Sequence, residues 1–308
     1  MASFTRARVL SQAHELYLLL PASAEPGREQ WGKLAGRLRH LEQLPAVGDW
    51  VFVTETEPPL IVEIEPRRSV FLRGDPGGGV QVLAANLDVA FLVCGLDDDF
   101  NPRRLDRYIV QTHESGARAV VVLNKADLCA SLPRLEVDAP VAAISALRGD
   151  VGALRSFVQP GETAALFGSS GVGKSTILNA LLGRTAQPVG TTSGQHTTTA
   201  RRIVLLEWGW WLLDMPGLRE LALSSSAGSV AESFREISAA ACRFRDCRHE
   251  NEPGCVIRGV VAEQRLESWR KLQREQAYAE RKDNPAAARA EKEKWKKIHK
   301  ALRTKTKK

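Results

Sequence analysis

The chain has 308 residues, 44% of them hydrophobic and 26% charged, which is enough apolar material for two or three globular domains. Its formal net charge of +7 is uneven, because residues 281–308 hold twelve Lys/Arg and three acids, or +9, so that the rest of the chain sums to about −2. No apolar run is long enough to span a bilayer, which argues against an integral membrane protein, and we expect a cytoplasmic protein.

Residues 1 to about 80 alternate short apolar runs with turns that contain glycine or proline. The runs cover residues 8–10, 16–19, 49–53 and 60–64. Several short strands at this spacing predict a small barrel or sandwich. The apolar residues 16–20 weakly resemble a signal peptide, but the stretch is too short and follows His14 and Glu15, so a strand is favoured. Residues 75–79 are predicted to be a linker.

From about residue 85 the pattern changes to alternating strands and helices. Continuous apolar runs at 89–93, 119–123 and 163–167 predict buried parallel strands, and a helix is predicted over 105–114. Residues 204–206 and 211–213 are predicted to form a hairpin. This alternation predicts a doubly wound α/β sheet.

The first half of the nucleotide motifs lies on the loops of this sheet. Asn124-Lys125-Ala126-Asp127 follows one strand, at the sheet edge where ligands bind in open α/β folds. The Asp127 carboxylate can accept hydrogen bonds from N1–H and the 2-amino group of guanine, a donor pair that adenine lacks. Asn124 would brace the loop, Lys125 would lie along the base, and the backbone of Ser145-Ala146, after the short run 141–144, could contact O6. An ordinary turn before a helix is the alternative interpretation.

A phosphate-binding loop follows the strand at 163–167. It fits the Walker A pattern, between a strand and a predicted helix over 176–182, and comprises Gly168, Ser169, Ser170, Gly171, Val172, Gly173, Lys174 and Ser175, with Thr176 next. Its glycines let backbone N–H groups surround phosphates at a helix N-terminus. Lys174 would reach the β- and γ-phosphates, and Ser175 would bind Mg²⁺. A chance glycine-rich turn is the alternative.

Two further elements are predicted to sense the γ-phosphate. Asp214-Met215-Pro216-Gly217 matches the Asp-x-x-Gly pattern, with Asp214 and Gly217 as the ligand-sensing residues. Thr198, within the run 194–199, is predicted to bind Mg²⁺. Leu218 stands where many GTPases have a water-positioning glutamine, so we predict that His196 takes that catalytic role. A β-prone threonine run and a structural histidine are the alternatives.

A metal site is predicted beyond the sheet. Cys242, Cys247, His249 and Cys255 supply three thiolates and an imidazole, the donor set of a structural Zn²⁺ site, so we expect one Zn²⁺ per chain. Three buried, unliganded cysteines are the alternative. Cys94 and Cys129 lie in or beside apolar runs and are predicted to be core residues.

The C-terminal part of the chain is predicted to be helical and then basic. A helical pattern runs from 262 to about 281, and the lysine-rich tail 281–308 follows it. The tail buries too little to fold alone. It is interpreted either as a solubilising segment or as an arm that neutralises RNA phosphates.

The order of these motifs is permuted, because the base-recognition motifs precede the phosphate loop and the switch elements follow it. With this order and the zinc spacing, the chain resembles the circularly permuted GTPases of the RsgA (YjeQ) family over nearly its whole length. The resemblance implies a multidomain α/β protein: an N-terminal OB-like β-barrel (1–80), a circularly permuted P-loop GTPase domain (81–225) and a C-terminal zinc-binding helical domain with a basic tail (226–308).

The resemblance also implies a function. We expect Mg²⁺-dependent, ribosome-stimulated hydrolysis of GTP to GDP and phosphate, late in maturation of the small (30S) ribosomal subunit, by a monomer whose barrel and zinc domain contact rRNA. His196 would be catalytic with Lys174 and Thr198. One alternative is a zinc-containing RNA-binding regulatory NTPase with another RNA target. A second is an ATP-using P-loop enzyme, which Asp127 disfavours. A third is an RNA-binding adaptor with a degenerate nucleotide site, which the intact Lys174 and Asp214 disfavour.

Overall fold

A computed structural model describes residues 3–38, 44–74, 80–183, 201–214, 227–244 and 247–283. The chain divides into two compact units, Met1–Ala222 and Leu223–Lys308. In the part of the chain that is described, no helix combines the length and the hydropathy that a membrane span needs.

The first unit begins with five strands that close into a ring. They are β1 (Phe4–Ala13), β2 (Leu16–Pro21), β3 (Gln30–Leu34), β4 (Trp50–Thr54) and β5 (Leu60–Ile64). Their pairing order is β1-β2-β3-β5-β4, and β4 pairs again with β1; only the β3–β5 pair is parallel. A short 3-10 helix (Gly36–Leu38) follows β3. Alternate residues such as Val9, Leu19 and Ile61 point inward and form the ring's own core.

A hairpin connects the ring to the second sheet region. It consists of β6 (Val70–Gly74) and β7 (Val80–Ala85), which pair antiparallel. Phe71 and Leu83 of the hairpin belong to a core cluster shared with the next sheet, and the Phe71 ring stacks on Phe167 at 4.8 Å. The predicted linker 75–79 lies outside the described residues. The domain boundary that we predicted between residues 80 and 81 falls within β7.

The remaining strands of the first unit form a mixed, mostly parallel sheet. In chain order its elements are β8 (Val89–Gly95), α1 (Pro102–Ser115), β9 (Arg118–Asn124), β10 (Val141–Ala143), β11 (Thr163–Phe167), α2 (Lys174–Leu181), β12 (Arg202–Leu205) and β13 (Trp211–Asp214). The strand order is β10-β9-β8-β11-β13-β12, with only β12 antiparallel to its neighbour. Short 3-10 helices occur at Ala126–Leu128, Ala146–Arg148 and Gly152–Phe157. The predicted buried strands, the α1 helix and the 204–213 hairpin are confirmed.

The central strands are buried on both faces, as their continuous apolar runs predicted. Every residue of β8 and of β11 is buried. One face packs on α1 and the β6–β7 hairpin, and the other packs on α2 and Trp210. Parallel strands aligned in this way place their carboxyl ends along one edge, where the predicted nucleotide loops begin.

Strand β1 holds the ring and the sheet together. Five consecutive residues, 7 to 11, are buried, because Ala7 and Val9 face the ring core while Leu10 packs into the cluster shared with the sheet. The Ser11 hydroxyl donates to the Arg201 carbonyl at 2.8 Å, and Ser11 pairs with Arg202 of β12. Because β1 is covered on both faces here, its residues do not alternate between buried and exposed, as they would in a strand with one face in solvent.

Arg8 is the buried cation of this junction. Its Nη2 donates to the Thr163 hydroxyl at 2.5 Å, and its guanidinium lies 5.5 Å from the ring centroids of both Trp50 and Trp211. Burial lowers the pKa of Arg8 to about 10, although the Asp88 carboxylate opposes this effect. The guanidinium therefore connects the ring to the first residues of β11 and β13.

The described residues of the second unit, 227–244 and 247–283, form three helices and a long loop. The helices are α3 (Ala227–Ser233), α4 (Arg235–Ser238) and α5 (Glu263–Asp283). Among the residues of this unit whose burial is described, the buried apolar ones are few: Val230, Phe234, Ile237, Ile257, Leu266 and Leu272. Arg265 of α5 covers the Phe234 ring at 4.1 Å and donates to the Ser233 carbonyl at 2.7 Å. The tail from residue 284 onward lies outside the described residues.

Replacing Arg8 with alanine should destabilise the first unit by about 2–4 kcal/mol, because the substitution leaves a cavity between two tryptophans and removes the bond to Thr163. Arg6→Ala is the matched control, since Arg6 stacks on the exposed side of Trp50 and pairs with Glu65 near solvent, and should cost less than about 1 kcal/mol. Urea unfolding followed by tryptophan fluorescence measures both. Equal losses for the two variants would contradict the assigned role of Arg8.

Candidate nucleotide and metal sites

The phosphate loop requires glycine at two points of close backbone approach. Gly168 has φ +148°, and a Cβ there would lie 2.4 Å from the Val93 carbonyl oxygen. Gly173 has φ +97°, and a Cβ there would lie 2.2 Å from the Asn124 side-chain nitrogen. Both positions therefore exclude larger residues. The loop leaves β11 and enters α2 as the sequence predicted.

The predicted phosphate-contacting residues surround this loop. Lys174 Nζ donates to the carbonyls of Gly168 at 2.8 Å and Ser169 at 2.6 Å, so the ammonium lies over the loop. Ser175 and Thr176 are in the first turn of α2, where helix N–H groups are unpaired and favour anions. Ser170, Gly171 and Ser175 are exposed, whereas Val172 is buried in the core. The geometry suits an anionic ligand that rests on backbone N–H groups.

Asn124 is the residue that joins three loops. Its side chain is buried at the end of β9; Nδ2 donates to the Val172 carbonyl at 2.9 Å and Oδ1 accepts from the Ala146 N–H at 3.1 Å. One amide thereby links the base-recognition loop, the phosphate loop and the Ser145-Ala146 turn. The sequence predicted a bracing role for Asn124, and the structure gives the two partners.

Asp127 is hydrogen-bonded to the Ser145-Ala146 turn, and this contact favours its ionised form. The Ser145 hydroxyl donates to Asp127 Oδ1 at 2.6 Å, and this hydrogen bond lowers the pKa of the Asp127 carboxyl. Lys125 has a left-handed backbone, φ +65°, immediately before the 3-10 helix that carries Asp127. A non-glycine residue in this conformation is uncommon, and it points to a loop shape fixed by its surroundings.

Sequence analysis missed two acids beside these loops. Asp97 forms an ion pair with Lys125, and Asp99 accepts from the Ser169 hydroxyl at 2.7 Å. Those two hydrogen bonds are the largest causes of the lowered pKa values of the two carboxyls. Both residues lie in the β8–α1 loop, whose run of three aspartates carries no motif. The only available signal was its position at the carboxyl end of a buried strand.

The switch residues fall mostly outside the described part of the chain. Asp214 ends β13, which pairs in parallel with β11, so its backbone lies at the same sheet edge as Gly168. His196, Thr198 and Gly217 lie outside the described residues. Their assignments stay predictions.

The four predicted zinc ligands converge in the second unit. His249 Nδ1 lies 3.6, 3.5 and 3.3 Å from the sulfurs of Cys242, Cys247 and Cys255, and all four ligand atoms lie within 4.8 Å of one another. Tetrahedral Zn²⁺ with ordinary Zn–S and Zn–N bonds needs S···N separations of about 3.5 Å. The residues therefore fit a zinc ion bound through Nδ1 of the histidine.

The surroundings of His249 support its orientation. The His249 ring lies 5.3 Å from the Trp269 ring, and the Arg270 guanidinium donates to the His249 carbonyl. Glu252 accepts from the backbone N–H groups of Arg248 and Glu250 at 2.9 and 2.8 Å, which shapes the loop between the ligands. Helix α5 and the loop together hold the ring toward the three sulfurs.

Known proteins resemble this chain in sequence and in fold. A family model described as RsgA GTPase matches residues 64–224. Two relatives are named small ribosomal subunit biogenesis GTPase RsgA. The one from Opitutus terrae is 43% identical to this chain, and the match covers 98% of this chain and 91% of the relative. The one from Methanosarcina acetivorans is 41% identical, and the match covers 89% of this chain and 81% of the relative. The crystal structure of YjeQ from Thermotoga maritima matches with a TM-score of 0.68 at 24% identity, over 89% of this chain and 99% of that one. YloQ, described as a circularly permuted GTPase, matches with a TM-score of 0.64 at 19% identity, over 89% and 95%.

Removing zinc should unfold the second unit while the first stays folded, because the described part of the second unit buries only six apolar residues and metal binding supplies folding free energy. Protein purified without chelators should contain one zinc per chain by mass spectrometry. Cys247→Ser should lose that zinc and expose residues 227–283 to limited proteolysis. Cys129→Ser, a thiol outside the cluster, is the control and should keep both. Wild-type protein without zinc would contradict the site.

Proposed function

Because the chain belongs to the RsgA GTPase family, we propose that it hydrolyses GTP to GDP and phosphate, with Mg²⁺ and with stimulation by the ribosome, late in maturation of the small ribosomal subunit. The observation that carries this proposal is the buried Asn124 amide. It holds the loop 124–127, which we propose binds guanine, against the loop 168–173, which we propose binds phosphate, at one sheet edge. One nucleotide could then engage both loops.

Asp127 would select guanine. Its carboxylate would accept from the N1–H and 2-amino groups of the base, and the hydrogen bond from Ser145 favours the ionised form that this requires. Ser145 and Ala146 would place a backbone N–H near O6, and Lys125 would cover the base. Adenine would leave the carboxylate unpaired, which costs binding free energy.

The phosphates would rest on the loop 168–173 and the start of α2. Backbone N–H groups, with Lys174 and Thr176, would neutralise the β- and γ-phosphates. Ser175 and Thr198 would hold Mg²⁺, with Asp214 and Gly217 beside the γ-phosphate. When bound, Mg²⁺ would supply positive charge that stabilises the negative charge developing on the phosphoryl group during transfer.

His196 would position the attacking water. Leu218 cannot hydrogen-bond, so the imidazole replaces the glutamine that many GTPases use. Lys174 would stabilise charge on the transferred phosphoryl group, and Thr198 would contribute to catalysis by helping to hold Mg²⁺. Two side chains on one switch segment would thus act together in hydrolysis.

The other parts would bind ribosomal RNA. The cyclic strand order β1-β2-β3-β5-β4 with a parallel β3–β5 pair supports an OB-like barrel, a fold that binds oligonucleotides. Trp31 on β3 is 45% exposed and offers an aromatic surface for a base. We propose domains of 1–80, 81–225 and 226–308, with the basic tail from 281 as an added phosphate contact. The protein would act as a cytoplasmic monomer.

Cosedimentation tests the partner directly. The chain should pellet with small ribosomal subunits when a non-hydrolysable GTP analogue is bound, and less with GDP or with large subunits. Binding to another structured RNA with equal affinity, and no preference for small subunits, would instead support a regulatory NTPase with another RNA target.

Asp127→Asn should weaken GTP binding about 100-fold and raise affinity for xanthosine triphosphate, because the amide exchanges an acceptor for a donor opposite the 2-position of the base. Fluorescent-nucleotide titration measures both constants. Asp150→Asn, the same change on an exposed loop, is the control and should leave both unchanged. Wild-type affinity for GTP in the Asp127 variant would remove Asp127 from base recognition.

His196→Ala should slow ribosome-stimulated hydrolysis about 100-fold while GTP affinity stays within a few fold, because the imidazole would act on water in the transition state. Single-turnover phosphate release with saturating small subunits measures the step. Unchanged stimulated turnover would exclude His196 from catalysis.

A further inference from the structure

The β8–α1 loop, residues 96–101, lies between the base-recognition loop and the phosphate loop. Its backbone is tied to the first of these, since Leu96 N–H donates to the Asn124 carbonyl at 2.9 Å and the Cys129 thiol donates to the Leu96 carbonyl at 3.6 Å. Gly95 precedes the loop, and a Cβ there would lie 2.8 Å from Asp97 Oδ1. The Asp97 carboxylate therefore folds back over the end of β8.

Asp97 holds the side chain of Lys125. The two form an ion pair in which both side chains are about 30% exposed. The Lys125 backbone is itself fixed in a left-handed conformation, so the ion pair restrains the remaining freedom of this long side chain. Asp97 Oδ1 also accepts from the Asp99 N–H at 3.3 Å, which links the two acids.

Asp99 holds the start of the phosphate loop. Its Oδ2 accepts from the Ser169 hydroxyl at 2.7 Å and from Arg104 Nη2 at 2.8 Å. Arg104 lies in the first turn of α1 and neutralises the carboxylate, so that a negative charge next to a phosphate-binding loop is balanced. Asp98, between the two acids, is exposed and has no hydrogen bond or ion pair with the other described residues.

We propose that Asp97 and Asp99 are positioning residues for guanine-nucleotide binding. Asp97 would set Lys125 along the base, Asp99 would set Ser169 and the first turn of the phosphate loop, and the short loop between them would fix the separation of the two contacts. This rests on the proposed function, because a single nucleotide must span both loops. The linked acids make base contact and phosphate contact depend on one another.

The sign of the effect distinguishes positioning from bulk electrostatics. Removing a negative charge near the phosphates should tighten anion binding if only the long-range field matters. Loss of an oriented, partly exposed ion pair should instead weaken binding, by about two- to five-fold. Asp97→Asn and Asp98→Asn make the same change of charge one residue apart, so they form a matched pair.

The experiment is a titration of the full chain with fluorescent GDP and IDP, with thermal unfolding as a check on folding. Asp97→Asn should weaken binding of both nucleotides about two- to five-fold and equally, since Lys125 would lie along the base and would not contact the 2-amino group. Asp97→Glu should restore part of the affinity. Asp98→Asn should leave affinity unchanged or slightly tighter.

Background variants test whether each acid acts through its partner. In the Lys125→Met background, Asp97→Asn should cause no further loss of affinity for GDP. Asp99→Asn should weaken GDP binding about two- to five-fold in the wild type but cause no further loss of affinity in the Ser169→Ala background. The proposal is overturned if Asp97→Asn tightens GDP as Asp98→Asn does, leaves affinity unchanged, or alters the GDP/IDP ratio. Wild-type preference for GDP over ADP tests the proposed function separately, and failure to bind any guanine nucleotide would overturn both.

Discussion

The candidate site depends on one buried amide. The Asn124 side chain has an NH₂ group and a carbonyl oxygen, and each bonds to a different loop. The NH₂ group donates to the Val172 carbonyl, and the oxygen accepts from the Ala146 N–H. The side-chain nitrogen occupies the space where a side chain at position 173 would project. An unpaired amide in this buried position would cost free energy, so the three loops are held together or the site loses its shape.

The permuted order of the motifs is compatible with this arrangement for a geometric reason. In a parallel sheet the carboxyl ends of all strands meet at one edge, and their order along the chain does not enter. Strands β9, β10, β11 and β13 deliver their loops to the same edge although β11 comes after the base-recognition loops. Strand β12, at the outer edge of this sheet, pairs with β1 of the ring.

Prediction from sequence succeeded where one signal dominated. Continuous apolar runs identified the buried strands β8, β9 and β11, and the Walker A pattern placed the phosphate loop between β11 and α2. It did not predict the pairing of β6 with β7, because the glycine-rich sequence between them, residues 75–79, is typical of a linker. It missed Asp97 and Asp99 because acids ahead of a helix are common for electrostatic reasons alone. Which acids meet Lys125 and Ser169 is decided by sheet register, which composition does not encode.

The double burial of β1 has a consequence for synthesis of the chain. On the side of β1 that faces the sheet, Arg8 and Ser11 find partners in β11, β12 and β13, more than 150 positions later. At ordinary translation rates of about 5–20 residues per second, that face waits roughly 8–30 s for its partners on the nascent chain. The ring strands are made first, but the side of β1 that packs on the sheet is covered late, so the nascent N-terminal region presents a partly apolar face that chaperones at the ribosome exit could shield.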